Sequence, residues 1–369
     1  MTTPPSNSAH ALEKHDDLPA TFNLALLHLL LQHPKGVSAN ILTEQVQLDK
    51  TELEVCLNQL EHLGCEVRRE DNPTSNGLLT LEKAGLGTWV DYLECYCKRQ
   101  DSNHTGLIKL YQSTESTQDI VRQWATDAAG SKTVNGAAAI ANDQHAGRGR
   151  LGRRWYAPAG TSALLSMALT TDCSTTPSAP VPTKDTNPPL ITANRLAITC
   201  AIAVARAIEI ASSPNSVSAQ IKWPNDVMVN GKKIAGILIE ALPNHQVAIV
   251  GVGVNVNLTP QHLPDDAAEP GLQERVTSLS MCNREVDRLI MLRELINALR
   301  SAANWGDDDA IKQEWLRRSL IQDGTSTFRH NGSELIGRVE GMDLDEGLIV
   351  RTQAGQLIHL PAATTSINR

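Results

Sequence analysis

The sequence predicts an α+β protein of three successive regions, and three observations predict it. Between residues 21 and 85, apolar residues recur at helical spacing and give way to two short strand-like runs. From Leu107 to about Ile321, strand-like and helix-like runs alternate. From Gly324 onward only short strands separated by turns remain. A chain of 369 residues is long enough for two or three cores, and 41% hydrophobic with 20% charged residues is ordinary for a soluble globular protein.

The first residues, MTTPPSNSAHALEKHDD, carry no basic segment followed by an apolar one, so residues 1–20 are read as a flexible polar tail rather than a signal peptide. FNLALLHLLLQHP is an apolar helix stopped by Pro34, and SANILTEQVQ is a second helix that Ser38 can cap. LDKTELEVCLNQLEHLG is a third, with Leu53, Leu57 and Leu60 on one face and Gly64 at its end. Two strands follow around the polar turn in CEVRREDNPTSNGLLTLEK. Three helices and a hairpin are the order of a winged helix-turn-helix, assigned to residues 21–85, with 86–106 read as a linker.

In the middle region, 107–318, LIKLYQ is a strand and STESTQDIVRQWATDAA a helix with Ser116 as its N-cap. AAAIANDQ and TSALLSMALT are strands flanking an arginine-rich loop. Residues 170–189, rich in Pro, Thr and Ser, cannot pack a core and are expected to form an exposed insertion. LITANRLAITCAIAVARAIEI is a long, largely apolar helix. QIKWPNDVMVNGKKIAGILIEAL reads as strand, hairpin and strand, with Asn230-Gly231 a type I′ turn signal. QVAIVGVGVNVNL is another strand, two helices run on to Arg318, and the short strands of 319–369 suit a small β-barrel.

No run of about 18 apolar residues is present to span a membrane. The seven cysteines (56, 65, 95, 97, 173, 200 and 282) are odd in number and scattered, as expected of reduced thiols in a cytoplasmic protein. Cys95-x-Cys97 has no second pair to complete a zinc site, so no metal site is expected from a protein motif.

The loop GRGRLGRRW, Gly147 to Trp155, places four arginines in nine residues of a chain with net charge −8. It satisfies G-x-G-x-x-G, but a strand follows where a dinucleotide site needs a helix N-terminus. The charge is confined to one loop, whereas nucleic-acid binding calls for a basic face. Glycines alternating with guanidinium forks suit a mobile loop that folds over one compact polyanion, such as a triphosphate. Lys222, at a strand end before Pro224, either faces that loop and neutralises phosphate or reaches into solvent.

STESTQ, QHAGRGRLGRRW, KWPNDVMVNGKKIAGILIE and VGVGVNVNL, in this order, resemble the biotin protein ligases over nearly all of 107–318 outside the insertion. NGSELIGRVEGMDLDEGLIVRTQAGQLIHL is similar to the C-terminal barrel of that family. The resemblance implies a class II synthetase-like (biotin/lipoate ligase) mixed-sheet core with an N-terminal winged helix-turn-helix and a C-terminal SH3-like barrel. It implies ATP-dependent formation of biotinyl-5′-AMP, with Mg²⁺ accompanying ATP, and transfer to a lysine of a biotin carboxyl carrier domain. A homodimer through the catalytic sheet is a family expectation.

By the same resemblance, Ser116, Thr117 and Gln118 match the family's Ser-Thr-Asn segment for the ureido ring, Gln118 departing from Asn, and Gln144 matches its ureido-binding glutamine. Arg148, Gly149 and Arg150 match the segment that closes over biotin and phosphate, and Lys222 the lysine at the reacting carboxylate. Lys222 and Arg148 are thus the candidate catalytic residues, and Arg148, Arg150 and Lys222 the candidate ATP ligands. Gly236 and Gly253 let a strand approach the ligand closely. Lipoate ligases share this chemistry, but their RRxSGGG segment is absent.

The N-terminal region is similar to that of bifunctional members that also repress transcription. Its charge argues the other way: residues 1–85 hold twelve Asp and Glu against six Lys and Arg, a net of −6. The candidate recognition helix carries Asp49, Glu52, Glu54 and Glu61 against Lys50. Phosphate neutralisation supplies nearly all non-specific DNA affinity, and only Arg68 and Arg69 are placed to provide it.

Overall fold

Each early helix begins where the sequence supplies a cap. In the computed structural model, which describes residues 23–70, 77–100, 107–128, 134–170, 192–242, 247–264, 270–302, 305–321 and 325–367, Asn23 Oδ1 accepts from the amides of Ala25 and Leu26 at the start of α1 (Leu24–Gln32). Ser38 caps α2 (Ala39–Val46), and a reciprocal Asp49–Glu52 box opens α3 (Lys50–His62). Leu26, Leu27, Leu30, Leu42, Leu53, Leu57 and Leu60 close the core among them. The strands β2 (Glu66–Glu70) and β3 (Leu78–Lys83) pair antiparallel, and the two-residue β1 (Val37–Ser38) adds to β3, giving the order β1-β3-β2. The tail 1–20, the wing turn 71–76, Cys173 and nearly all of the 170–189 insertion lie outside the described residues.

The stretch expected to be a linker, 86–106, contains a helix. α4 (Trp89–Gln100) buries Trp89, Tyr92, Leu93 and Cys97, an i, i+3, i+4, i+8 stripe that is helical periodicity in plain view. It lies against the first catalytic strand and against the later helix α8 (Arg288–Ala302), and its buried face shares one hydrophobic cluster with the catalytic region.

The catalytic sheet comprises β4 (Ile108–Tyr111), β5 (Ala138–Ala141), β6 (Ser162–Thr170), β7 (Gln220–Lys222), β8 (Asp226–Val229), β9 (Lys232–Leu242) and β10 (Val247–Asn255). Their order is β4-β5-β6-β10-β9-β8-β7, with β4 and β5 parallel and the remaining pairs antiparallel. Alternation splits the side chains between two cores. Ala139, Ala168 and Ile249 meet Val121 and Ala125 of α5 (Thr117–Asp127) on one face. Ala138, Ile140, Leu165 and Val250 meet α6 (Ala193–Ala211) and α8 (Arg288–Ala302) on the other. A single turn, α7 (Leu272–Arg275), precedes α8, and α9 (Asp308–Arg318) closes the region against α6. The β8–β9 turn has Asn230 at φ 51° and Gly231 at φ 73°, the left-handed pair a type I′ turn needs.

The C-terminal strands β11 (Thr325–His330), β12 (Ser333–Asp343), β13 (Gly347–Thr352), β14 (Leu357–Leu360) and β15 (Thr365–Ile367) form one antiparallel sheet in the order β14-β13-β12-β11-β15. Phe328, Leu348, Val350 and Leu360 fill it. It docks on the start of α6, where Asn194 Nδ2 donates to Asp345 O at 2.6 Å and Asn194 Oδ1 accepts from Ala362 N at 2.7 Å. That docking brings β15 to the mouth of the catalytic cleft.

Candidate active site

The polar end of the cleft is assembled by the N-terminus of α5. Ser116 is its N-cap, accepting from Gln118 N at 3.3 Å. Thr117 donates through both its backbone amide, at 2.7 Å, and its hydroxyl, at 3.0 Å, to Gln144 Oε1. This fixes the Gln144 amide with its nitrogen on the Gly147 side. The Thr117 hydroxyl also lies 2.7 Å from Ser166 Oγ, which donates to Gln118 Oε1 at 3.0 Å. Ser166 carries no motif of its own; the available signal was a hydroxyl in the middle of the apolar strand SALLSMALT. Gln118 does something a shorter Asn could not: its Nε2 reaches Ile249 O at 3.2 Å and Leu238 O at 3.4 Å. Gly251 makes room, since a Cβ there would meet Gln118 Oε1 at 2.5 Å.

The arginine loop is a folded hairpin, where mobility was expected. Gly149 N donates to Arg153 O at 2.7 Å and Trp155 N to Gly147 O at 2.9 Å, with Leu151 (φ 57°) and Gly152 (φ 72°) turning the tip. It is pinned at three points. The Arg148 guanidinium makes two 2.6 Å bonds to the Asp119 carboxylate, a pairing that holds the Asp119 carboxyl below its usual range. Arg150 reaches the carbonyls of Ala362, Ala363 and Thr365 at 2.7, 3.0 and 3.3 Å, and Asn225 Oδ1 at 3.2 Å. Burial pushes the Arg150 guanidinium down from its ordinary value, but an arginine remains charged there.

The third pin is Trp155, which packs against the two glycines expected to lie close to the ligand. A Cβ on Gly253 would stand 2.5 Å from Trp155 Cε2, and one on Gly236 2.9 Å from Trp155 Cζ3. Gly236 and Gly253 are cross-strand partners on β9 and β10, so together they form a bare patch of sheet. The indole occupies the space they leave, so what approaches these strands closely is the protein's own tryptophan. Lys233 Nζ sits over that ring, 5.3 Å from its centroid, and pairs with Asp226 Oδ1 at 2.6 Å. Lys233 is the second residue the sequence reading passed over; its signal was the paired lysines of NGKKIAGIL, of which only one packs inward.

All ten residues singled out from the sequence line one cleft: Ser116, Thr117, Gln118, Gln144, Arg148, Gly149, Arg150, Lys222, Gly236 and Gly253. Lys233, Trp155, Ser166 and Asp226 join them, as do Arg153, Arg154 and, from β15, Ser366 and Ile367. His145 is exposed and stands outside the cleft wall. The cleft thus gathers hydroxyls and amides together with guanidinium and ammonium groups.

Residues 110–257 match the biotin/lipoate A/B protein ligase family. A biotin--[acetyl-CoA-carboxylase] ligase of Paracoccus denitrificans is 32% identical over 260 residues, spanning 68% of this chain and 96% of that protein. The chain belongs to the biotin protein ligase family. A bifunctional ligase/repressor BirA of Bacillus spizizenii is 30% identical over 250 residues, 64% of this chain and 69% of its own length. The fold of the Aquifex aeolicus biotin protein ligase, solved in complex with biotin and ATP, superposes with a TM-score of 0.56 at 21% identity, covering 71% of this chain and 99% of that one. No helix among the described residues of this biotin protein ligase is long and apolar enough to cross a membrane.

The Arg150 anchor carries a direct consequence for such a ligase. Arg150→Ala would cut the loop from the C-terminal sheet, and since charge-assisted bonds are the strong ones, adenylate release should accelerate roughly tenfold or more. A pulse-chase of enzyme-bound biotinyl-adenylate checks this; an unchanged release rate would mean the carbonyl clasp is incidental.

Proposed function

We propose that the protein activates biotin with ATP and passes the biotinyl group to a carrier lysine, with the cleft dividing the work between its two ends. Ser116, Thr117 and Gln144 meet the hydrogen bonds of the ureido ring, which would otherwise be buried unpaired. Arg148, Arg150, Lys222 and Lys233 hold the carboxylate and the α-phosphate together. A carboxylate oxygen attacks the α-phosphorus and pyrophosphate leaves; the lysine amine of a biotin carboxyl carrier domain then attacks the acyl carbon and AMP leaves. The first step brings two anions together, and the second gathers negative charge on the acyl oxygen and the departing phosphate as the amine gives up a proton to solvent, so fixed cations lower both barriers. Trp155 and the hairpin cover the mixed anhydride against water.

The observation that carries this reading is the convergence of hydroxyl, amide and cationic side chains in one cleft. Among the described residues no three His, Cys, Asp or Glu side chains gather to hold a metal. Mg²⁺ is proposed to enter with ATP, as the family resemblance implies. Biotin-dependent exchange of labelled pyrophosphate into ATP tests the function. Exchange supported better by lipoate than by biotin would overturn it.

A second reading, repression of transcription in response to biotinyl-adenylate, draws on the winged-helix fold and on the bifunctional relatives. The side chains of the hairpin oppose it. Arg69 is paired with Glu61 and Glu54, Arg68 with Glu82 and Glu70, and Lys83 with Glu66. Cations already neutralised within the domain release few counterions on meeting DNA. The protein loaded with biotin and ATP should bind DNA from upstream of its own biotin-synthesis genes no more tightly than random DNA, at about 10⁻⁵ M or weaker in physiological salt. Submicromolar, sequence-selective and steeply salt-dependent binding would establish the repressor.

A further inference from the structure

Asp119 takes no part in lining the cleft, yet it decides where the first arginine of the loop lies. It sits in the first turn of α5, three residues after the Ser116 cap, so the helix that builds the polar end also aims this carboxylate at the loop. Both oxygens face the Arg148 guanidinium at 2.6 Å, a fork-to-fork geometry that fixes orientation as well as distance. The carboxylate is itself held: Arg122, one turn on, donates to Asp119 Oδ1 at 3.2 Å and forms an ion pair with Glu240 of β9 at 2.5 Å. A string of alternating charge, Glu240–Arg122–Asp119–Arg148, therefore runs from the sheet to the root of the hairpin.

We infer that Asp119 is a positioning residue for retention of the acyl-adenylate: it holds Arg148, and through it the N-terminal arm of the hairpin, across the cleft. The inference rests on the ligase reading above. A long side chain rooted between two glycines, Gly147 and Gly149, has little else to restrict it. The tip is already fixed by Arg150 and the C-terminal arm by Trp155, so Asp119 supplies the restraint at the root of the N-terminal arm. An ordinary surface ion pair would contribute almost nothing. This pair differs because one partner lines the cleft and the other is locked by a second arginine.

The test uses the full-length protein loaded with biotinyl-5′-AMP made in place from labelled biotin and ATP, then chased with excess unlabelled biotin and ATP. Asp119→Ala should release the adenylate roughly tenfold faster than wild type, and Asp119→Glu should recover much of the loss. Asp119→Asn keeps the shape and serves as the fallback should the alanine variant fold poorly. Combined with Arg148→Ala, the Asp119→Ala change should add little, because both remove one restraint. A release rate for Asp119→Ala and Asp119→Asn within twofold of wild type would overturn the inference, as would effects of the two alanine changes that simply multiply. Failure of the wild type to form any biotinyl-adenylate would instead bring down the ligase reading itself, and this inference with it.

Discussion

Lys233→Ala is expected to slow biotinyl-adenylate formation by about a hundred- to a thousandfold, the range seen when one preorganised charge is removed from a transition state. The ammonium is held from three sides. Asp226 pairs with it at 2.6 Å, the Trp155 ring lies beneath it at 5.3 Å, and the bare backbone of Gly236 lets it lie flat against the sheet, where a Cβ would stand 3.2 Å from Nζ. An ammonium fixed in this way does not have to reorganise when negative charge gathers on the reacting oxygens. Lys222 lines the same cleft from the end of β7, opposite Asp226 in the β7–β8 register. The sequence resemblance gives Lys222 the catalytic role, and Lys233, lining the same cleft, is a second candidate for it. Single-turnover rates of the two alanine variants decide between them: a larger loss at Lys222 would return the role to that residue.

Gly253→Ala should be the most damaging single methyl group in the cleft. The added carbon would lie 2.5 to 2.8 Å from three atoms of the Trp155 indole, far inside van der Waals contact. The strand cannot yield, because Gly253 is paired on both sides, to Leu164 of β6 and to Gly236 of β9. The indole must leave instead, taking the hairpin's third anchor with it. Overpacking of this kind costs about 1–3 kcal/mol, so the protein should stay folded while the Michaelis constant for biotin or ATP rises by about tenfold or more. In a Trp155→Ala background the same substitution should add little, since the space is then free. Wild-type kinetics for Gly253→Ala would show that the tryptophan has another place to go.

These two expectations rest on different levels of information. The order of strands and helices was legible because hydrophobic periodicity, caps and turns are local: Asn23, Ser38 and Asp49 each start a helix using atoms within three residues. Asn230-Gly231 fixed its turn for the same reason. α4 is legible too, since its stripe of Trp89, Tyr92, Leu93 and Cys97 carries the helical period within the stretch expected to be a linker. The arginine loop was a different matter. Alternating glycine and arginine suggests mobility when read alone, but three partners far away in sequence, Asp119, the carbonyls of 362–365 and the glycines of β9 and β10, give it a fixed shape.

By itself, then, the sequence determined the elements, the negative charge of the N-terminal region, and ten of the residues that meet in the cleft. Those depend on periodicity, composition and motif, which the chain carries along its length. Only the tertiary structure decided that Lys233 and Ser166 belong to the cleft, that Gly236 and Gly253 accommodate an indole, and that Asp119 governs Arg148. Each of these is a contact between residues dozens of positions apart, set by which strands pair and which way a side chain points from the sheet. Strand pairing closes such contacts through space, where no local pattern in the sequence records them.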